Sequence, residues 1–146
     1  MNAHIHTVET EEDLQKVFAI RTEVFVEEQH VPATEEIDTY DVLGGACTHV
    51  LLTNDAGEAI GTGRVRLVEN YGKLQRVAVR KNYRQYGFGR TIILQLEKIA
   101  ASLGATQAKL DAQVHAIGFY EKLGYDVKSD VFIDAGIEHV LMVKSF

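Results

Sequence analysis

"RVAVRKNYRQYGFGRTIILQLEKIA", Arg76 to Ala100, decides the fold. Its opening run is apolar and β-branched, the composition of a strand. Its closing run sets Ile92, Leu96, Ile99, Ala100 and, just beyond, Leu103 on one helical stripe, and Gly104 suits the position past a helix C-terminus. Between them, Gly87 and Gly89 let the backbone come close to a ligand, and a helix N-terminus offers unpaired N–H groups to an anion. A strand, a glycine loop and a helix in that order predict an anion site at a strand's carboxyl end.

The flanks complete the pattern. "CTHVLLT", "NDAGE" and "AIGTGRVRLV" read as a hairpin, and "ENYGK" turns the chain into "LQRVAVR", so an antiparallel meander precedes the loop. "HIHTV" is a short first strand. From Glu11, Leu14, Val17, Phe18, Val24 and Phe25 fall at helical spacing, and the helix should end before Pro32, with "VPATEEIDTYDVLGGA" an irregular loop. Arg21 interrupts that helix's apolar face, either to pair with an acid at the core's rim or to reach into a site. After the long helix come the strand "AKLDAQV", the short helix "AIGFYEKLG" and a final strand pair, "YDVKSDVFID" and "EHVLMVKS". The strand after the long helix is expected to lie parallel to the one before it, since a right-handed crossover joins them. The expectation is an α/β (α+β mixed) fold, with a mostly antiparallel sheet of about six to seven strands flanked by helices, in one domain over residues 1–146.

Composition narrows the function. No apolar run is long enough to cross a bilayer and "MNAHIHTVETEEDL" lacks the form of a secretion signal, so a cytoplasmic protein without a membrane partner is expected. Cys47 is the single cysteine; it cannot form an internal disulfide, has no partners at metal spacing, and reads as a core strand residue. The net charge of −6 argues against general nucleic-acid binding. That charge is uneven: Thr22 to Asp41 holds seven acids and no Lys or Arg, whereas Lys73 to Arg90 holds six bases and no acid. The first segment suits a cation and the second an anion, unless both are merely solvated faces.

Two familiar phosphate loops do not fit. A nucleotide-hydrolase loop requires Gly-Lys-Ser/Thr, and the lysine is missing; a dinucleotide loop requires a third glycine where Ile92 stands. Arg84-Gln85-Tyr86-Gly87-Phe88-Gly89 instead resembles the Arg/Gln-x-x-Gly-x-Gly/Ala signature of the GCN5-related N-acetyltransferase (GNAT) superfamily. The resemblance spans nearly the whole chain: "VAV" before the loop, the helix after it, and "AIGFYEKLGY" as the family's Phe-Tyr element. "RTEVFVEEQHVPATEEID" is further similar to the small bacterial ElaA-like branch.

The resemblance implies an acyl-CoA N-acyltransferase fold and acetyl-CoA or coenzyme A as cosubstrate, with the pyrophosphate on the backbone N–H groups from Gln85 to Arg90. Arg84, Arg90 and Arg80 or Lys81 would add long-range attraction. Val77 and Val79 would lie on the strand that pairs with the pantetheine arm, an N–H near Val77 would polarise the thioester, and Tyr120 would protonate the departing thiolate. Of the adjacent Phe119 and Tyr120, Phe119 is expected to face the core. Many relatives carry a basic glutamate before the loop, but Lys73, Leu74, Gln75 and Arg76 occupy that stretch here. His115 is then a candidate base, with a helix-capping or surface role as its alternative; Glu28, Glu36 and Asp38 could instead hold a cationic amine acceptor and relay its proton through water. Asp111 and Gln113 share a strand face that could line the cleft or the surface. A non-catalytic acyl-CoA sensor is the competing reading, and a homodimer could form along a terminal strand edge.

Overall fold

The computed structural model describes residues 1–146. Strands β1 (Ala3–Thr7), β2 (Thr48–Asn54), β3 (Ala59–Val68), β4 (Tyr71–Val79), β5 (Gln107–Gln113), β6 (Asp126–Val127), β7 (Phe132–Asp134) and β8 (Ile137–Ser145) belong to one sheet. Its order is β1-β2-β3-β4-β5-β8-β6, with β7 paired to β8 off that path. Helices α1 (Glu11–Arg21), α2 (Ala33–Glu36), α3 (Phe88–Ser102) and α4 (Ile117–Lys122) complete the mixed α/β fold.

Each long helix buries one stripe. Thr10 caps α1 by accepting the Asp13 N–H at 3.2 Å, and Glu11, Glu12 and Asp13 put negative charge at its positive end. Its Leu14, Val17 and Ile20 pack with Leu51 and Ala78. Helix α3 packs Ile92, Ile93, Leu96 and Ala100 with Val50, Leu52, Ile60, Val65 and Leu74 in a larger cluster. Fully burying such a side chain contributes roughly 1.5–3 kcal/mol. Small strand residues let α3 lie close: a Cβ on Gly72 would stand 2.5 Å from that of Ala100, and one on Gly63 would stand 2.8 Å from Ile92.

The meander and the parallel crossover are present as the sequence indicates, with two irregularities that shape the site. Between Thr62↔Ala78 and Arg64↔Gln75, one residue of β3 faces two of β4, so β4 bulges at Arg76, whose φ is +57°. Strands β4 and β5 pair in parallel only through Tyr71↔Gln107, Gly72↔Ala108 and Lys73↔Lys109. Beyond Lys73 they separate, and the edge of β4 is left open.

Three details differ from expectation. The first helix does reach Glu28, but as a π-helical segment from Thr22 to Glu28, and the loop after Pro32 contains the short α2. "YDVKSDVFID" is two strands because the Ser129 hydroxyl, not a backbone carbonyl, accepts the Leu141 N–H at 2.8 Å. That substitution interrupts the ladder and raises the strand count to eight.

Candidate active site

Where β4 and β5 part, a cavity of about 170 Å³ opens. Leu74, Gln75, Arg76 and Val77 form its β4 wall, and Leu110 and Gln113 its β5 wall. The π-helical segment and its continuation cover it with Phe25, Gln29, Val31, Glu35 and Glu36. Tyr120 of α4 and the β7–β8 hairpin close the remaining side. The wider π-helical turn thus sits over the cavity, a frequent position for this irregularity.

The glycine loop lies at the carboxyl end of β4. Gln85 and Gly87 both have positive φ, +71° and +81°, and this alternation curls the backbone so that successive N–H groups face one side. None of the backbone N–H groups from Gln85 to Arg90 has an acceptor within the chain. Helix α3 begins at Phe88 with no side-chain cap, somewhat before the expected start near Arg90. The glycines act differently from one another. Gly87 has open space where a Cβ would point and is required for its φ, whereas a Cβ on Gly89 would meet the Phe119 ring at 3.2 Å. Tyr86 is exposed and stacks on the buried Phe88 at 5.8 Å.

The acidic and basic segments meet each other. Glu23 takes Arg80 at 2.9 Å and Glu28 takes Arg84 at 3.0 Å, so two of the cations expected to attract phosphate already have carboxylate partners. Arg84 also donates its Nε–H to the Val79 carbonyl at 2.9 Å. Arg90 and Lys81 are exposed and have no ion-pair partner. Deeper in, Asp41 accepts from Arg21 at 2.6 Å, from Arg64 at 2.8 Å and from His49 at 3.0 Å, all four residues being buried. Burial would raise the Asp41 carboxyl, but hydrogen bonds from His49 and Arg21 hold it well below the usual range. The Arg64 hydrogen bond likewise holds Asp38 low against its burial. Arg21 therefore takes the first of its two expected roles. Glu28 and Asp38 are consumed by arginines, which removes them as free holders of a cationic acceptor.

Glu36 remains at the cavity. Burial pushes its carboxyl up, against the pull of Arg76 and Arg21. Arg76 Nε lies 3.0 Å from Glu36 Oε2 without hydrogen-bond alignment, and that buried nitrogen has no hydrogen-bond partner. Gln75, in the stretch where many relatives carry a glutamate, accepts from Arg64 at 3.1 Å.

Tyr120 is half-buried in the cavity wall, edge-on to Phe119 at 5.0 Å and Tyr125 at 5.9 Å, and burial raises its phenol to about 12. Phe119, not Tyr120, is the exposed member of the pair, which reverses the expected orientation; its ring covers Gly89 instead of entering the core. His115 is exposed on the turn before α4, outside the cavity lining, and bonds Gln113 at 2.6 Å. Gln113 in turn donates to Gln29 at 2.8 Å across the cavity's cover. Val77 lines the cavity and Val79 ends β4 beside the loop. Asp111 is exposed and lies away from the cavity, unlike Gln113.

Sequence reading missed Arg76, Asp134 and His139. Positive φ in a non-glycine strand residue has no local signature, and His139 reads as one more polar position of the last strand. Only the register Gln113↔His139 brings it beside the open end of β5.

The family model of the acetyltransferase (GNAT) domain matches residues 7–146. The uncharacterised N-acetyltransferase YjcF of Bacillus subtilis is 46% identical over 135 residues, covering 92% of this chain and 94% of that protein. ElaA of Escherichia coli has a similar fold, with a TM-score of 0.86 at 22% identity over 99% of this chain and 100% of that one. The PaiA N-acetyltransferase of Thermoplasma acidophilum, solved in complex with coenzyme A, gives a TM-score of 0.74 at 19% identity over 100% of both chains.

Proposed function

Because the chain belongs to the GNAT acetyltransferase family, we propose that it transfers the acetyl group of acetyl-CoA to a primary amine by direct attack in a ternary complex. The observation that carries this reading is the run of backbone N–H groups from Gln85 to Arg90, unpaired and curled at the N-terminus of α3, next to the open edge of β4. A pyrophosphate is the ligand such a run satisfies, since it brings several acceptor oxygens and negative charge to a helix's positive end. Arg90 and Lys81 supply uncommitted positive charge nearby. The coenzyme A complex of the similar PaiA fold supports the same cofactor.

From the loop, the pantetheine arm follows β4 along Val79 and Val77 and delivers the thioester to the cavity. Beyond Lys73, β5 no longer pairs with β4, so an N–H near Val77 on that open edge can donate to the thioester carbonyl; one such donor lowers the barrier by about 2.7–4 kcal/mol. The acceptor enters from the opposite side, where Glu35, Glu36 and Asp134 outnumber Arg76 and favour a cation. Its nitrogen attacks the carbonyl carbon, the C–S bond breaks, and the sulfur takes a proton from Tyr120. A phenol raised to about 12 remains protonated until the thiolate forms, which keeps the donor ready.

The test is a thermal-shift titration with acetyl-CoA and desulfo-CoA, followed by thiol release across an amine panel. Binding to the folded state at a hundred times the dissociation constant adds about 2.7 kcal/mol of stability. A shift with amine-dependent thiol release is expected. A shift without turnover on any amine supports the sensor reading instead, and no shift removes the cofactor site altogether.

A further inference from the structure

We propose that His139 is the base that deprotonates the acceptor amine; this rests on the transferase reading above and names a residue that the reading leaves open. An alkylamine is an ammonium at neutral pH and must lose a proton before it attacks. The cavity holds few groups able to take it. Glu36 is held between Arg21 and Arg76, Gln75 is neutral and bound to Arg64, and His49 is committed to Asp41 and lies outside the cavity lining. His115 lies outside it, and Glu35 and Asp134 are exposed carboxylates that no contact holds in one position.

His139 is differently placed. It lines the same cavity as Glu36 and is only 9% exposed. Its Nδ1 lies 2.7 Å from the Ile137 carbonyl, an acceptor only, so in the neutral ring Nδ1 carries the proton and Nε2 the lone pair. Nothing in the chain donates to that Nε2. The ring is fixed by stacking on Phe132 at 6.0 Å and 21°. A fixed tautomer, a rigid ring and an unpaired nitrogen on a residue that lines the cavity are what a general base requires. The titratable groups that line the same cavity are Glu35 and Glu36 from the cover, Arg76 from β4, Tyr120 from α4 and Asp134 from β7.

His139 Nε2 takes one proton from the ammonium and releases it to solvent. The freed lone pair forms the N–C bond, the C–S bond breaks with its electron pair on sulfur, and Tyr120 protonates that sulfur. The second proton leaves the new amide nitrogen and restores Tyr120.

The experiment pairs two amines, propylamine and 2,2,2-trifluoroethylamine, whose electron-poor nitrogen is already neutral at neutral pH. Thiol release from acetyl-CoA is followed for wild type, His139→Asn and His139→Gln, with acetyl-CoA binding measured by calorimetry. His139→Asn keeps a donor for the Ile137 carbonyl and removes the base. Its turnover of propylamine should fall by about 10²–10⁴-fold, that of trifluoroethylamine by less than about tenfold, and acetyl-CoA affinity should not move. His139→Gln should behave alike. Equal losses for the two amines, or no loss, overturn the assignment while the transferase reading stands. A wild type that releases no thiol overturns the transferase reading instead. Nitrogen NMR of histidine-labelled protein gives a readout independent of turnover: a bare Nε2 on His139 supports the assignment, and an Nε2–H tautomer overturns it.

Discussion

The β4–α3 loop and the segment from Thr22 to Asp41 carry opposite charge and treat their polar groups in opposite ways. The loop is exposed, holds its backbone N–H groups without acceptors, and keeps Gln85 and Gly87 at positive φ. The acidic segment pairs most of its carboxylates: Glu36, Asp38 and Asp41 inward onto Arg21, Arg64 and Arg76, and Glu23 and Glu28 at the surface onto Arg80 and Arg84. A group built for a ligand is left unpaired at some cost, whereas a group built for the fold is paired until little of it remains free. The acidic charge that suggests a cationic partner in the sequence is therefore mostly structural, and only Glu35, Glu36 and Asp134 face the cavity.

The largest effect should come from breaking the paired region. Asp41→Ala leaves His49 without its carboxylate and takes one buried acceptor each from Arg21 and Arg64, and removing one partner of a buried network costs about 3–5 kcal/mol; urea denaturation measures it. The pH dependence carries a sign for each acid. Asp41 is held below its unfolded value of about 3.9, so its contribution is present above that value and is lost as the pH falls toward the folded one. Glu36 is raised, so its contribution is present below about 4.3 and is lost as the pH rises through its folded value. Asp41→Ala should flatten the acid limb of the stability profile, and Glu36→Gln the limb above it. An unchanged acid limb in Asp41→Ala would show that the network is not what acid breaks.

Next in size is Tyr120→Phe, which keeps the ring packed on Tyr125 and removes only the hydroxyl. Thiol release should fall by at least about a hundredfold with acetyl-CoA affinity unchanged. Since burial raises this phenol to about 12, the ratio of wild-type to variant rates should stay flat across the neutral range. Smaller still is Gly87→Ala, where a φ of +81° costs a side chain roughly 1–2 kcal/mol despite open space. Gly89→Ala should cost less, because the Phe119 ring that its Cβ would meet at 3.2 Å is half exposed and can move. Equal stability losses would mean that Gly87 and Gly89 serve one steric purpose.

Legibility in the sequence follows how local each feature is. Helix α3, its closing Gly104, the meander and the glycine loop each depend on neighbours in the chain, and their spacing survives without a structure. The pairs Arg21–Asp41, Arg64–Asp38 and Arg80–Glu23 join residues 20, 26 and 57 positions apart, and nothing in either segment says which acid meets which base. The bulge at Arg76 follows from mismatched counts on two strands, and the break in the last hairpin from one serine hydroxyl. The Phe-Tyr element points to His115, which lies outside the cavity; nothing local points to His139, because β8 reaches the cavity only by pairing with β5.

The smallest effect tests the boundary between the two regions, at Arg84 and Glu28. Arg84 belongs to the loop by sequence and to the acidic segment by contact, 3.0 Å from Glu28 with about two-fifths of its side chain exposed. An exposed pair of this kind contributes about 0.2–1 kcal/mol and weakens in salt. A bound pyrophosphate would draw on the same guanidinium, so the cofactor must displace or share the carboxylate. Glu28→Gln keeps the shape and removes the competing charge. Acetyl-CoA should then bind up to about fivefold tighter at low ionic strength, with little change in melting temperature, and the gain should vanish at high salt. Equal affinity in wild type and variant at low salt would mean that Arg84 stays on Glu28 and the Val79 carbonyl throughout. In that case Arg90, Lys81 and the loop's own N–H groups carry the phosphate without it.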